Sequence, residues 1–143
     1  MTGKAFVAAV AAVLLVIVSG LVSGAAEQTW KMDFAMDKSD LSSTGTNQWI
    51  QFTTTSIPAG TYQLQLVYRS NATRAKHNVK VDSTTFGLTI DQYAATAFYQ
   101  TVTVGSITFA TAGTHTIRLT TTAKNAASSG FDLSAVQFIL TPP

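Results

Sequence analysis

Few side chains in this sequence are able to do covalent chemistry. Its 143 residues include two histidines, seven acidic residues and no cysteine. His77 lies among Arg74, Lys76 and Lys80, and reads as a solvated side chain. His115 follows Gly113-Thr114 on the apolar side of an alternating run, and reads as an edge or buried residue bonded to backbone. A nucleophile needs a base beside it, and glycoside cleavage needs two carboxylates flanking one bond. Glu27 stands at the end of the N-terminal apolar segment, which leaves only aspartates, mostly in loop-like positions. There is no Gly-x-Ser-x-Gly elbow, no His-Glu-x-x-His and no phosphate loop. The expectation is a protein that binds without catalysing.

Binding chemistry is better supplied. A sugar offers hydroxyls at its edge and C–H groups on its face. It calls for an exposed aromatic ring with amide, carboxylate or cationic partners, carried on loops of a rigid scaffold. Three loops hold such residues: 69–77 with Arg69, Asn71 and Arg74; 86–99 with Asp91, Gln92, Tyr93, Phe98 and Tyr99; and 122–131 with Lys124, Asn125 and Phe131. The candidate ligand-binding set is Trp49, Arg69, Arg74, Asp91, Tyr93, Tyr99, Lys124 and Asn125. Structural roles are open to several of them. Asp91 and Asn125 can cap turns, Lys124 can pair with Asp91, and Tyr93, Phe98 and Phe131 can plug the ends of the fold. The basic group Arg69, Arg74, Lys76 and Lys80 suits either a solvated loop or an anionic polysaccharide.

The elements that would position these loops are strands. Tyr62, Leu64, Leu66 and Tyr68 alternate with polar residues, as do Val79 and Val81, Val102 and Val104, Ile107 and Phe109, Ile117 and Leu119, and Val136, Phe138 and Leu140. Ile50 with Phe52, and Trp30 with Met32 and Phe34, suggest two more strands. Turn residues punctuate the runs at 43–45, 58–60, 69–71, 86–87, 105, 112–113 and 128–130. Period two means one buried face per strand. Seven or eight such strands predict an all-β, two-layer antiparallel β-sandwich.

The N-terminus is different. Lys4 precedes an uncharged apolar stretch that ends in Ser23-Gly24-Ala25-Ala26. Residues 1–26 are expected to form a hydrophobic helix acting as a secretory signal peptide, with a membrane anchor as the alternative. The domain is then 27–143, with one more cation than acid. That balance does not call for nucleic acid. Export would place the protein outside the cell or on its surface, with contact to a membrane only through an uncleaved leader.

The ordered pieces Pro58-Ala-Gly60-Thr-Tyr62-x-Leu64-x-Leu66-x-Tyr68, Asn71-x-x-Arg74-Ala75, Val79-x-Val81-Asp82, Ile90-Asp91-x-Tyr93, Phe109-x-x-x-Gly113-x-His115-x-Ile117-Arg118-Leu119 and Lys124-Asn125-Ala-Ala-Ser128-Ser129-Gly130-Phe131 carry a resemblance. This set resembles a galactose-binding-like jelly-roll domain of phage tail and fibre proteins and secreted bacterial proteins, similar to family 6 and family 35 carbohydrate-binding modules. The resemblance implies a carbohydrate or glycoconjugate partner. It assigns Asp91, Tyr93, Lys124 and Asn125 to structure more than to ligand, and leaves Trp49, Arg69, Arg74 and Tyr99 as the variable part. It also implies a structural calcium between the first and last strands, for which Asp33, Asp37, Asp40 and Asp132 are the oxygen donors on offer. Two departures stand out: Ser134-Ala135 replaces an acidic residue, and Ser83-Thr84 follows Asp82 where glycine is usual. The competing expectation is a structural subunit of a fibre, surface layer or appendage, self-associating through strand addition by Trp30–Phe34.

Overall fold

The structure is a computed structural model. It describes residues 42–143 in full and, before them, only the backbone of three strands. Those strands are β1 (Val7–Ala9), β2 (Ala12–Leu15) and β3 (Thr29–Leu41). The others are β4 (Trp49–Thr53), β5 (Gly60–Ser70), β6 (Ala75–Val81), β7 (Thr84–Thr85), β8 (Ile90–Asp91), β9 (Phe98–Phe109), β10 (Thr116–Lys124) and β11 (Leu133–Thr141). Among the described residues there is no helix. The leader expected over 1–26 lies outside the described residues, apart from the two extended stretches β1 and β2.

The strands form two sheets. One runs β1-β4-β10-β6-β7, with β8 also on β6, and the other runs β2-β3-β11-β5-β9. Every described pairing is antiparallel except β1 with β4. This is the sandwich that period two predicts. Ile50 and Phe52 of β4, Val79 and Val81 of β6, and Ile117 and Leu119 of β10 face inward from one sheet. Tyr62, Leu64, Leu66 and Tyr68 of β5, with Phe138 and Leu140 of β11, face them from the other. Phe52 and Phe138 meet edge-on between the layers, with centroids 5.5 Å apart. Such a pair adds to simple area burial because the positive edge of one ring meets the negative face of the other.

Three expectations change. Gly105 was read as a turn between two strands, but β9 runs through it as one strand. Its apolar residues shift from even positions (Val102, Val104) to odd ones (Ile107, Phe109), and pairing with β5 slips by one between Leu64 and Gln65. That slip is a β-bulge: one extra residue flips the side-chain alternation. Gly105 has φ 151°, and a Cβ there would come within 2.9 Å of the Phe86 ring, so only glycine lets that ring lie on the strand. Second, Trp30–Phe34 does not wait for a neighbour's sheet. Its backbone is within β3, paired with β11 from Trp30↔Leu140 to Asp33↔Gln137. Third, the glycine missing after Asp82 is compensated at Asp82 itself, which adopts φ 50°. Aspartate tolerates that left-handed conformation better than most residues.

Because Phe138 is almost fully buried and joins the two layers, Phe138→Ala should remove about 3–5 kcal/mol of stability. Urea denaturation should show a lower midpoint with an unchanged slope.

Candidate functional site

The structure brings the three predicted loops together at one end of the sandwich. Asn71, Asp91 and Asn125 start the build. The Asn71 side-chain oxygen accepts the Thr73 N–H at 2.8 Å, Asp91 Oδ1 accepts from Tyr93 N at 3.0 Å, and Asn125 Oδ1 accepts from Ala127 N at 3.0 Å. Each short side chain thus holds its own turn. The loops are then tied to one another by backbone bonds. Ala94 N donates to Asn71 O, Ser129 N to Ala72 O, Asp132 N to Thr73 O, and Gln92 N to Ala75 O. Ser128 is buried with its hydroxyl 2.8 Å from Arg74 O. A Cβ on Gly130 would stand 3.0 Å from Thr73 O, so this crossing needs glycine.

Two buried polar groups lock the assembly. Arg74, predicted to face ligand, is instead fully buried. Its Nε donates to Arg69 O at 3.0 Å and its Nη1 to Leu133 O at 3.4 Å. The reason is local: carbonyls left over at the ends of β5 and β11 need donors, and a planar guanidinium supplies several at once. His77, predicted to be solvated, is also fully buried. Position 77 falls on the inward register of β6, which its charged neighbours in sequence obscure. Its Nδ1 lies 3.2 Å from Asn78 O and can only donate there, which leaves Nε2 to accept from Gln92 Nε2 at 2.9 Å. Gln92 also donates to Ser134 O and accepts from Ser134 N. The loop between β8 and β9 is therefore pinned to both sheets.

On this frame stand the outward-facing candidates. Phe98 is 50% exposed and Tyr99 is 58% exposed at the start of β9. Arg69 is paired with Tyr99 across the strands, and its N–H is held by Ser134 Oγ. Asp91 Oδ2 accepts from Asn125 Nδ2 at 3.0 Å and lies 3.9 Å from Lys76 Nζ. Lys124 was expected to pair with Asp91, but it lies 5.3 Å above the Phe131 ring, a cation–π contact. Lys76 takes the place beside Asp91 because the two are register partners in β6 and β8. Tyr93 joins Asn71 through an isolated bridge. Burial, and then the Asp91 charge, push the nearby Tyr68 phenol above its usual range, and a bond to Ser70 opposes them. Trp49 does not belong to this end; it lies on the outer face of the six-stranded sheet. At the loop end the candidates fall into two groups, Arg69 with Tyr99 on the five-stranded sheet and Asp91 with Asn125 on the side of the six-stranded one, with Tyr93 and Lys124 in the same loops and Arg74 serving from behind.

A family model for "Carbohydrate binding module (family 35)" matches residues 24–129. The chain belongs to this family. No curated protein matches it. Among solved structures, the chain is similar to a Paenibacillus xanthan lyase, with TM-score 0.66 and 21% identity over 94% of this chain and 12% of that one. Further similar structures are a CBM36 domain of a multidomain xylanase from the hindgut metagenome of Trinervitermes trinervoides (TM-score 0.46, 23% identity, 67% of this chain and 72% of that one) and a Podospora anserina GH26-CBM35 β-(1,4)-mannanase (TM-score 0.49, 16% identity, 82% and 28%). This module spans 12% of the lyase it matches. Family membership marks it as a carbohydrate-binding domain, a class that is non-catalytic in itself.

Among the described residues, His115 is the histidine that meets a carboxylate. His115 Nδ1 lies 2.7 Å from Asp82 Oδ2, at the end opposite the three loops, and its ring stacks on Phe109 with centroids 3.7 Å apart. The partner is a carboxylate and not the backbone expected from sequence. Nε2 is buried without a hydrogen-bond partner among the described residues, so the ring aligns no hydroxyl there and instead fastens the β6–β7 hairpin to β10. For the implied calcium, Asp33, Asp37 and Asp40 lie on β3, outside the residues whose side chains are described. Among the described residues, no three of His, Cys, Asp and Glu come together.

Burial lowers the His77 pKa from 6.5 to about 4. The unfolded chain therefore takes up this proton at a higher pH than the folded one. Stability from this group is complete above pH 6.5 and falls as pH drops towards 4, by a total on the order of 3 kcal/mol. Urea titrations between pH 7 and 4 should show that decline. In His77→Asn this contribution should vanish, from a lower starting stability.

Proposed function

We propose that this chain is an exported, non-catalytic jelly-roll module that recognises carbohydrate at a cell or extracellular surface through its three-loop end. The observation carrying this reading is the exposed Tyr99 in register with Arg69 on one sheet, at the same end of the sandwich as a frame of amide, carboxylate and amine groups at Asn125, Asp91 and Lys76 on the other. Aromatic rings suit the C–H faces of a sugar, and the polar groups suit its hydroxyls. The loops are held by backbone bonds and by the buried Arg74 and Gln92, so little ordering entropy is lost on binding. The leader-like composition of residues 1–26 supports export. The family supports carbohydrate as the ligand class.

A second reading, a structural subunit of a fibre, surface layer or appendage, draws on β9. This long strand stands at the edge of its sheet, where unpaired backbone groups offer a template for another strand.

A glycan-array screen of the chain should give reproducible hits with affinities on the order of micromolar to millimolar. Tyr99→Ala should weaken them about tenfold, the effect of losing about 1.4 kcal/mol, while circular dichroism stays unchanged. No hits, together with concentration-dependent oligomers in size-exclusion chromatography, would favour the subunit reading.

A further inference from the structure

The outer face of the six-stranded sheet carries a second arrangement that the loop end does not explain. Here the side chains of β4, β10 and β6 that point away from the core form a grid set by strand register. One row across the three strands is Gln51, Arg118 and Lys80, and the next is Trp49, Thr120 and Asn78. Neighbouring strands lie about 4.8 Å apart, so Lys80 and Arg118 are cationic residues on adjacent strands in direct register. Like charges so placed oppose folding. A fold needing only a solvated face would be better served by a neutral pair.

Arg118 is also held in place. Its Nε and Nη2 donate to Gln51 Oε1 at 3.1 and 2.8 Å, and its guanidinium carbon lies 3.8 Å from the centroid of the Trp49 ring. These contacts leave the Nη1 edge of the fork outside the bonds to Gln51. A fixed planar guanidinium is the best side-chain partner for a carboxylate, because its orienting entropy is already spent. Among the described residues, the carboxylates bordering the face already have partners. Asp82 binds His115 and the Thr116 N–H, and Asp91 binds Asn125 and Lys76. Along β6 the outward row runs Lys76, Asn78, Lys80, spanning about 13 Å at 3.3 Å per residue. The Trp49 ring, which would otherwise stack a neutral sugar, is capped by the cation, so this face selects for charge.

We propose that this sheet face is a second binding surface, separate from the loop end, and that it takes an acidic polysaccharide whose carboxylates meet Arg118 and Lys80. The proposal rests on the carbohydrate-binding reading above, and adds a site and a ligand class to it. A net charge of only +2 and a flat patch suit a carboxylated sugar chain better than the denser charge of nucleic acid.

The test is affinity electrophoresis of the full chain through gels holding polygalacturonate, an uncharged galactomannan, heparin or double-stranded DNA, in about 0.15 M salt, where the Debye length is about 8 Å. Polygalacturonate should retard the chain more than the other three do. The double variant K80Q/R118Q should weaken that retardation about tenfold, and Arg118→Lys should weaken it as well, because lysine keeps the charge and loses the fork. Lys80→Glu, which turns the like-charge pair into an opposite one beside Arg118, should lower it with thermal stability kept or raised. Equal retardation by heparin or DNA would overturn the proposal in favour of general polyanion binding. Loss with Tyr99→Ala and none with K80Q/R118Q would also overturn it, leaving the loop-end reading in place. Retention by no glycan at all would remove both.

Discussion

The loop end of this module depends on a buried charge. Moving a guanidinium out of water is costly unless its N–H groups find acceptors, and Arg74 finds them in the carbonyls of Arg69 and Leu133. Those carbonyls sit where β5 gives way to its loop and where β11 begins. Satisfying the cation therefore specifies where two strands end and how the chain leaves them. Ser128 reaches Arg74's own carbonyl from the third loop. Gln92, bonded to both His77 and Ser134, does the same for the segment before β9. The result is a loop cluster with little freedom, built without a disulfide in a chain that contains no cysteine.

The two sheets divide the work. The five-stranded sheet places Arg69 and Tyr99 side by side at one end through the β5–β9 register. The six-stranded sheet carries the loop acid Asp91 on β8, and on its outer face the Trp49–Arg118–Gln51 group. Core packing between the sheets, with Phe52 against Phe138, holds the two in fixed relation. Family 35 membership gives the chain a carbohydrate-binding frame.

The strands were legible because one-faced burial writes itself into the chain as alternation. Tyr62 to Tyr68, Ile117 with Leu119 and Phe138 with Leu140 all kept their predicted faces. The three loops were legible as groups, since short polar residues between apolar runs have few other uses. Their internal wiring was not. Arg74 read as ligand-facing and His77 as solvated because their sequence neighbours are charged, yet both are buried. Nothing local distinguishes a buried cation with acceptors from an exposed one, because the acceptors come from residues remote in the chain. The pairing of Lys76, and not Lys124, with Asp91 was hidden for the same reason: it follows from register between β6 and β8.

By itself, the sequence determined the fold class, the strand positions and the leader-like start, since these rest on periodicity and composition, which are local properties. It also determined which residues had the chemistry to bind. Tertiary structure alone decided which of them face solvent together. It placed the candidate Trp49 on a sheet face under Arg118, withdrew Arg74 into the interior, and turned Gly105 from a presumed turn into a bulge beneath Phe86. The physical reason is common to all three. Strand register and sheet order bring distant residues within hydrogen-bonding reach, and side-chain placement follows from those long-range pairings.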